Sequence, residues 1–145
     1  MKNLDKVNII ITGEDNPNGF ASLNKLDAKI SHYPMIKTSA CKEIQGFDIK
    51  EIEFIIFTSK KGIKYFFDNQ NSNNQDFSLK KFICLGEKTE KELNEYNYKA
   101  YYTCKRNYSE TMCEELKKSK IIESKNVLLV QGSLANKNLV NCLKA

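Results

Sequence analysis

Between Glu53 and Thr58 the chain reads EFIIFT, four large apolar residues in unbroken succession. A strand with one wet face alternates apolar and polar residues. One that is apolar at every position must be covered on both faces, as a parallel strand flanked by helices is. Ser59 follows as a helix cap, and Ile63, Phe66 and Phe67 then recur at helical spacing, so the pattern predicts a helix from Lys60 to about Asp68. The Asn/Gln-rich tract from Asn69 to Asp76 is expected to be a mobile surface loop.

The same strand-then-helix period runs through the chain. Val7 to Thr12 is a β-branched run closed by turn formers, Phe20 to Leu26 has helical spacing, and Ala28 to Tyr33 is a second strand before Pro34. Beyond the loop, Lys81 to Leu85 is a strand and Lys88 to Tyr96 a helix. Lys99 to Thr103 and Ser109 to Lys118 repeat the pair, as do Asn126 to Val130 and Leu134 to Leu143. Such alternation implies an α/β fold, a mostly parallel sheet with helices on both faces.

Composition narrows the function classes. In 145 residues, 41% are apolar and 28% charged, which suits a globular chain with a true core. The net charge of +5 favours an anionic partner. The lysines are scattered, however, and no basic cluster is interleaved with aromatics, so nucleic acid ranks last and a small polyanion fits well. Five cysteines in neither CxxC nor Cys/His spacing read as reduced thiols, Cys84 within FICL as a small hydrophobe, and this favours a reducing compartment. No apolar run reaches the roughly 18 residues of a membrane helix, and the first strand follows Met1 too closely for a signal peptide. A cytoplasmic protein without a membrane partner is expected.

In a parallel sheet, ligands gather where strands end and helices begin, because free N–H groups and the positive end of the helix dipole meet there. That edge comprises Thr12, Gly13, Thr58 and Ser59, then Gly86 to Thr89, Asn107 to Ser109, and Gly132 with Ser133. It suits carboxylates or phosphates, although Ser59 and Thr89 serve equally well as plain helix caps. His32, the only histidine, is expected to be a lone solvated residue. Glu114 and Glu115 belong to the polar face of a helix. No metal-ligand spacing, GxGxxG or GxxxxGK[ST] occurs, and no Ser-His-Asp set, so the residues imply neither a metal nor a nucleotide.

In their order, these elements resemble the uroporphyrinogen-III synthase family. EFIIFTSKKGIKYFF, from Glu53 to Phe67, resembles the family's strand-Phe-Thr-Ser-helix segment, and ICLGEKTEKEL, from Ile83 to Leu93, its strand-Gly-x-x-Thr-helix segment. NYSETMCEEL, from Asn107, resembles the next helix start, and VLLVQGSLANKNLVNCL a later strand-Gly-helix element. The resemblance implies two discontinuous α/β domains with the substrate between them. One domain is complete, residues 36–121 with its connecting strands. The other is incomplete and is formed by residues 1–35 and 122–145.

The implied activity is that of a lyase of tetrapyrrole (haem) biosynthesis, the cyclisation of hydroxymethylbilane with inversion of its last pyrrole ring, without cofactor. Thr58, Ser59 and Thr89 would donate hydrogen bonds to substrate carboxylates, with Thr12, Gly86, Asn107 and Gly132 as further wall residues. The catalytic group is unassigned: family members continue through further β-α units, one of which bears a tyrosine implicated as proton donor. Gly13 stands where an arginine often follows the first strand, and Asn136 where a basic residue is expected, with Lys137 beside it. A truncated, inactive form and a non-catalytic α/β module binding a small anion are the other readings of the same edge. An incomplete domain would expose apolar faces, which predicts self-association or a completing chain.

Overall fold

The computed structural model describes residues 7–14, 28–41, 48–71, 75–105 and 108–144. The helix expected over Phe20 to Leu26 lies outside them. Two compact units emerge, Met1–Ser39 and Ala40–Ala145.

In the first unit, β1 (Asn8–Ile11) and β2 (Lys29–His32) pair in parallel, with Asn8 opposite Lys29 and Ile11 opposite His32. The pairing continues past the strands, since Tyr33 N donates to the Ile11 carbonyl at 2.8 Å and Met35 N to that of Thr12 at 2.9 Å. His32 is not merely solvated as the sequence suggested. Its Nε2 lies 2.8 Å from the Gly13 carbonyl oxygen and ties the strand end to the turn. Glu14 makes a second tie, one carboxylate oxygen accepting from the Thr38 amide at 3.0 Å and the Thr38 hydroxyl at 2.6 Å. Ile10, Tyr33, Met35 and Ile36 remain largely exposed.

The second unit carries the remaining elements in chain order: β3 (Phe54–Phe57), α1 (Lys60–Asn71), β4 (Lys81–Cys84), α2 (Glu87–Glu95), β5 (Ala100–Thr103), α3 (Ser109–Ser119), β6 (Val127–Val130) and α4 (Asn138–Lys144). The strands form one sheet in the order β5-β4-β3-β6, with every pairing parallel. All four residues of β3 are buried, as the unbroken apolar run required. Alternation then sorts the core into two layers. Ile55, Phe57, Phe82 and Cys84 pack with Ile63, Phe66 and Phe67 of α1 and Leu93 of α2. Phe54, Ile56 and Ile83 pack with Met112, Cys113 and Leu116 of α3 and Leu139 of α4. Helices therefore cover both faces, as the α/β reading implied.

Four expectations need correction. The resemblance assigns residues 122–145 to the domain of the opening strands, yet β6 pairs with β3, Val127 opposite Phe54 and Val130 opposite Phe57. The reason is burial: β6 brings Leu128 and Val130 to one core layer and Val127 and Leu129 to the other, and so completes the cover of β3. Helix α1 runs on to Asn71 rather than stopping near Asp68. Once Phe66 and Phe67 anchor it, each added residue gains a helical hydrogen bond at small propensity cost. Helix α4 begins at Asn138 rather than Leu134, because the Asn136 side-chain oxygen accepts from the Asn138 amide at 3.2 Å and leaves Leu134 in a turn, 99% exposed. The cysteines are not all reduced: Cys113 on α3 and Cys142 on α4 form a disulfide across the packed helix pair, their Cα atoms 6.3 Å apart.

The α1 layer is aromatic. Phe67 stacks on Tyr98 with ring centroids 5.1 Å apart and on Tyr96 at 4.9 Å, and meets Phe77 edge-on at 5.7 Å. Phe67→Ala would remove one side of all three contacts and is expected to cost about 3–5 kcal/mol, measured as the shift of the urea unfolding midpoint at unchanged slope.

Candidate functional site

Strand order fixes where a ligand can enter. β3, β4 and β5 step successively in one direction, whereas β6 returns to the other side of β3, so the chain reverses its winding between β3 and β6. At such a switch point the connections leaving the two strands diverge and open a crevice beyond their C-terminal ends. Because Phe57 lies opposite Val130, the residues that follow, Thr58 and Gln131, leave the sheet side by side. The Thr58 hydroxyl donates to the Val130 carbonyl at 3.3 Å.

A cavity of about 300 Å³ lies at this point. Thr58, Ser109, Gln131, Asn136 and Tyr108 supply its polar wall, and Leu85 and Leu139 its apolar wall. Ser109 is the first residue of α3, so the positive end of that helix faces the cavity. Tyr108 precedes it, and its carbonyl caps the helix by accepting from Met112 N at 3.0 Å and the Thr111 hydroxyl at 2.8 Å. The side chain makes no capping bond and is 70% exposed. Among the described residues, none that lines the cavity carries a formal charge. The described lining residues can donate and accept hydrogen bonds, and none of them is a strong acid or base. A larger hollow of about 510 Å³ lies beside Leu116, Ile122 and Leu143. Two of its lysines are already paired, Lys120 with Glu123 at 3.9 Å and Lys125 with Glu53 at 3.0 Å, which leaves it less suited to an anion.

The residues expected from sequence divide accordingly. Thr58 lines the cavity. Ser59 is exposed, and its oxygen accepts from the Gly62 amide at 3.1 Å, the role of a plain cap. Gly86 takes a left-handed φ of 80° to open α2, a conformation that favours glycine, and its carbonyl accepts from Thr89 N and Glu90 N. Thr89 is buried, and its hydroxyl proton is committed to the Leu85 carbonyl at 3.0 Å. Gly132 is exposed in the turn after β6, where its carbonyl accepts from Ala135 N at 3.0 Å. Thr12 belongs to the first unit, and Asn107 lies outside the described residues. Tyr108 and Ser109 fall within the expected Asn107-to-Ser109 stretch but were not singled out, Asn136 was noted only as the place of an absent basic residue, and Gln131 was missed. Their signal was positional, since each sits within one or two residues of a strand end or helix start, but their side chains gave no reason to prefer them to the neighbouring hydroxyls and glycines.

Known proteins share this fold. The family model described as uroporphyrinogen-III synthase HemD matches residues 20–145. A mutant uroporphyrinogen III synthase from the extremely thermophilic bacterium Thermus thermophilus superposes with a TM-score of 0.67 at 13% identity, covering 95% of this chain and 57% of that one. The wild-type enzyme from the same organism superposes with a TM-score of 0.58 at 14% identity, over 95% and 56% of the two chains. The chain thus spans somewhat more than half the length of these solved structures, whose likeness bears on the fold. No curated protein sequence matches it.

Cys84 and Cys104, buried beneath this edge, are poor nucleophiles, because burial pushes each thiol up to about 12. At mild alkaline pH, alkylation of the folded protein should modify the exposed Cys41 and spare both. Unfolding should release three reactive thiols, and reduction of Cys113–Cys142 all five. A folded pKa above the unfolded value of 9.0 means stability that is complete below pH 9 and is lost as pH rises towards about 12. The melting temperature should therefore fall across that interval, and less steeply in Cys84→Ala.

Proposed function

The chain belongs to the uroporphyrinogen-III synthase family, and on that footing we propose that it takes part in tetrapyrrole biosynthesis by binding the linear tetrapyrrole hydroxymethylbilane at the β3–β6 switch point. The reaction would be ring closure with loss of the terminal hydroxyl and inversion of the last pyrrole ring. The observation that carries this reading is the cavity whose described wall is formed by the uncharged Thr58, Ser109, Gln131 and Asn136 at the start of α3.

The chemistry suits that wall. Acetate and propionate side chains need donors that hold them without altering the protonation of the pyrroles, and hydroxyls, amides and a helix N-terminus provide these. The pyrroles supply the electrons for departure of the hydroxyl. The protein would then act by holding the two ends of the substrate together and keeping water from the cation, so the wall needs no strong acid or base. Ser109, Gln131 and Asn136 are the donors in this proposal and Tyr108 the phenol of the wall, while Thr58, whose hydroxyl proton goes to the Val130 carbonyl, lines the cavity beside them. Ser59, Gly86, Thr89 and Gly132 shape the edge through the bonds already described. The second reading, a module that binds the same anion without turnover, is supported by the described wall residues, which are uncharged hydrogen-bonding groups and include no acid or base.

Turnover of freshly prepared hydroxymethylbilane separates the two, the expected product being the type-III isomer, whereas only the spontaneous type-I isomer would leave a binding module. Asn136→Asp tests the site itself. It keeps the oxygen that caps α4 but places a negative charge against the substrate carboxylates, and should weaken binding about tenfold with little change in melting temperature. Unchanged affinity would remove the cavity from the proposal.

A further inference from the structure

Strand β5 carries two adjacent tyrosines on one face of the sheet. Its pairing with β4 shifts register between Phe82 and Ile83, so that Ala100 lies opposite Phe82 and Tyr102 opposite Ile83, with Tyr101 the extra residue. A regular strand sends neighbouring side chains to opposite faces, and a one-residue bulge lets two of them share a face. Tyr101 meets Phe54 edge-on, ring centroids 5.7 Å apart, and Tyr102 packs on the layer of Phe54, Ile56 and Ile83. Ala100 packs on the opposite layer, so without the extra residue Tyr102 would face α1 and α2 instead of α3.

On that face Tyr102 reaches a carboxylate. Its hydroxyl donates to Glu115 Oε2 at 3.0 Å, and the Lys105 amide donates to the same oxygen at 3.2 Å. Burial, and after it this hydrogen bond, push the Tyr102 hydroxyl above the ordinary tyrosine range and so keep it a donor. Spacing alone assigns Glu114 and Glu115 alike to a polar helix face. In the fold Glu114 is exposed, whereas Glu115 is half-buried and ties α3 both to β5 and to the backbone that leaves β5. That backbone leads to the cavity, since Tyr108 and Ser109, both on its wall, follow Lys105 closely in the chain. Apolar packing of Met112, Cys113 and Leu116 holds α3 against the sheet without direction, while the bonds to Glu115 are directional and fix its approach.

We propose that Glu115 is a positioning residue of the cavity: by holding the Tyr102 hydroxyl and the Lys105 amide on one oxygen, it sets where Tyr108 and Ser109 meet the carboxylates of the tetrapyrrole. The proposal rests on the reading of that cavity as the tetrapyrrole site. Glu115 acts through the two wall residues and is not itself among the described residues that line the cavity. Hydrogen bonds to a carboxylate are roughly twice as strong as those between neutral groups, so one side chain suffices to fix both the strand end and the backbone beyond it. The bulge in β5 is what brings Tyr102 within its reach.

Hydrogen exchange and hydroxymethylbilane binding, measured on the same variants, test this. Glu115→Ala should speed exchange of the Lys105 amide about tenfold or more while the Leu116 amide in the helix interior is unchanged. The same variant should weaken binding about tenfold. Glu115→Gln keeps an oxygen that both donors can use, and should stay within about threefold of wild type in both measurements. Tyr102→Phe removes one donor and should weaken binding about threefold. Wild-type affinity in Glu115→Ala, a Glu115→Gln variant no better than Glu115→Ala, or exchange that quickens equally at Leu116 would each overturn the proposal. Should Glu115→Ala not fold, wild-type affinity in Tyr102→Phe would do so. A wild-type chain that does not bind the tetrapyrrole would instead remove the reading of the site, and exchange at Lys105 would still decide whether Glu115 holds the approach to α3.

Discussion

The four-stranded unit depends on β3 being dry on both faces. Phe54, Ile55, Ile56 and Phe57 are each at most 2% exposed, a condition that requires a hydrogen-bonded strand on either side and helices above and below. Fully burying each such side chain is worth about 1.5–3 kcal/mol, so a neighbour that left one face wet would forfeit much of the unit's stability. The partners follow from that demand: α1 and α2 seal the layer of Ile55 and Phe57, while α3 and α4 seal the layer of Phe54 and Ile56. The Cys113–Cys142 bridge links the two helices of the second layer.

This constraint was legible in the sequence because it is local. EFIIFT, KFICL and the Ile63–Phe66–Phe67 spacing each announce a strand or a helix without reference to anything distant, and each lies where it was expected. What could not be read was pairing. VLLV has the composition of a buried strand but does not name its neighbour, and only the fit of Val127 and Leu129 to one layer and of Leu128 and Val130 to the other places it beside β3. The disulfide is hidden for the same reason, since its cysteines are 29 residues apart and meet only because α3 packs on α4. The late start of α4 was available in principle, from an asparagine two residues ahead of NLVNCL, but the apolar spacing outweighed it.

The candidate site shows the same division. That ligands would collect at the C-terminal edge followed from the parallel sheet alone, and Thr58 was found that way. Choosing among the edge residues required knowing where the winding reverses, and that depends on β6. With β6 beside β3, the residues after those two strands, Thr58 and Gln131, come together with the start of α3. Thr89, in the first turn of α2 after β4, is instead turned back on its own helix by the bond to the Leu85 carbonyl. A hydroxyl near a helix start thus has two uses, and hydrogen-bond geometry decides between them where composition cannot.

The same strand therefore serves both the core and the site. Its inner edge, by pairing with β3, creates the switch point and with it the cavity at Thr58 and Gln131. Its outer edge is apolar and regular, and its C-terminal end carries Gln131, so holding β6 firmly holds one wall of the cavity firmly too. For a site proposed to act by positioning with uncharged donors, rigidity of the strands that carry those donors is itself a functional property.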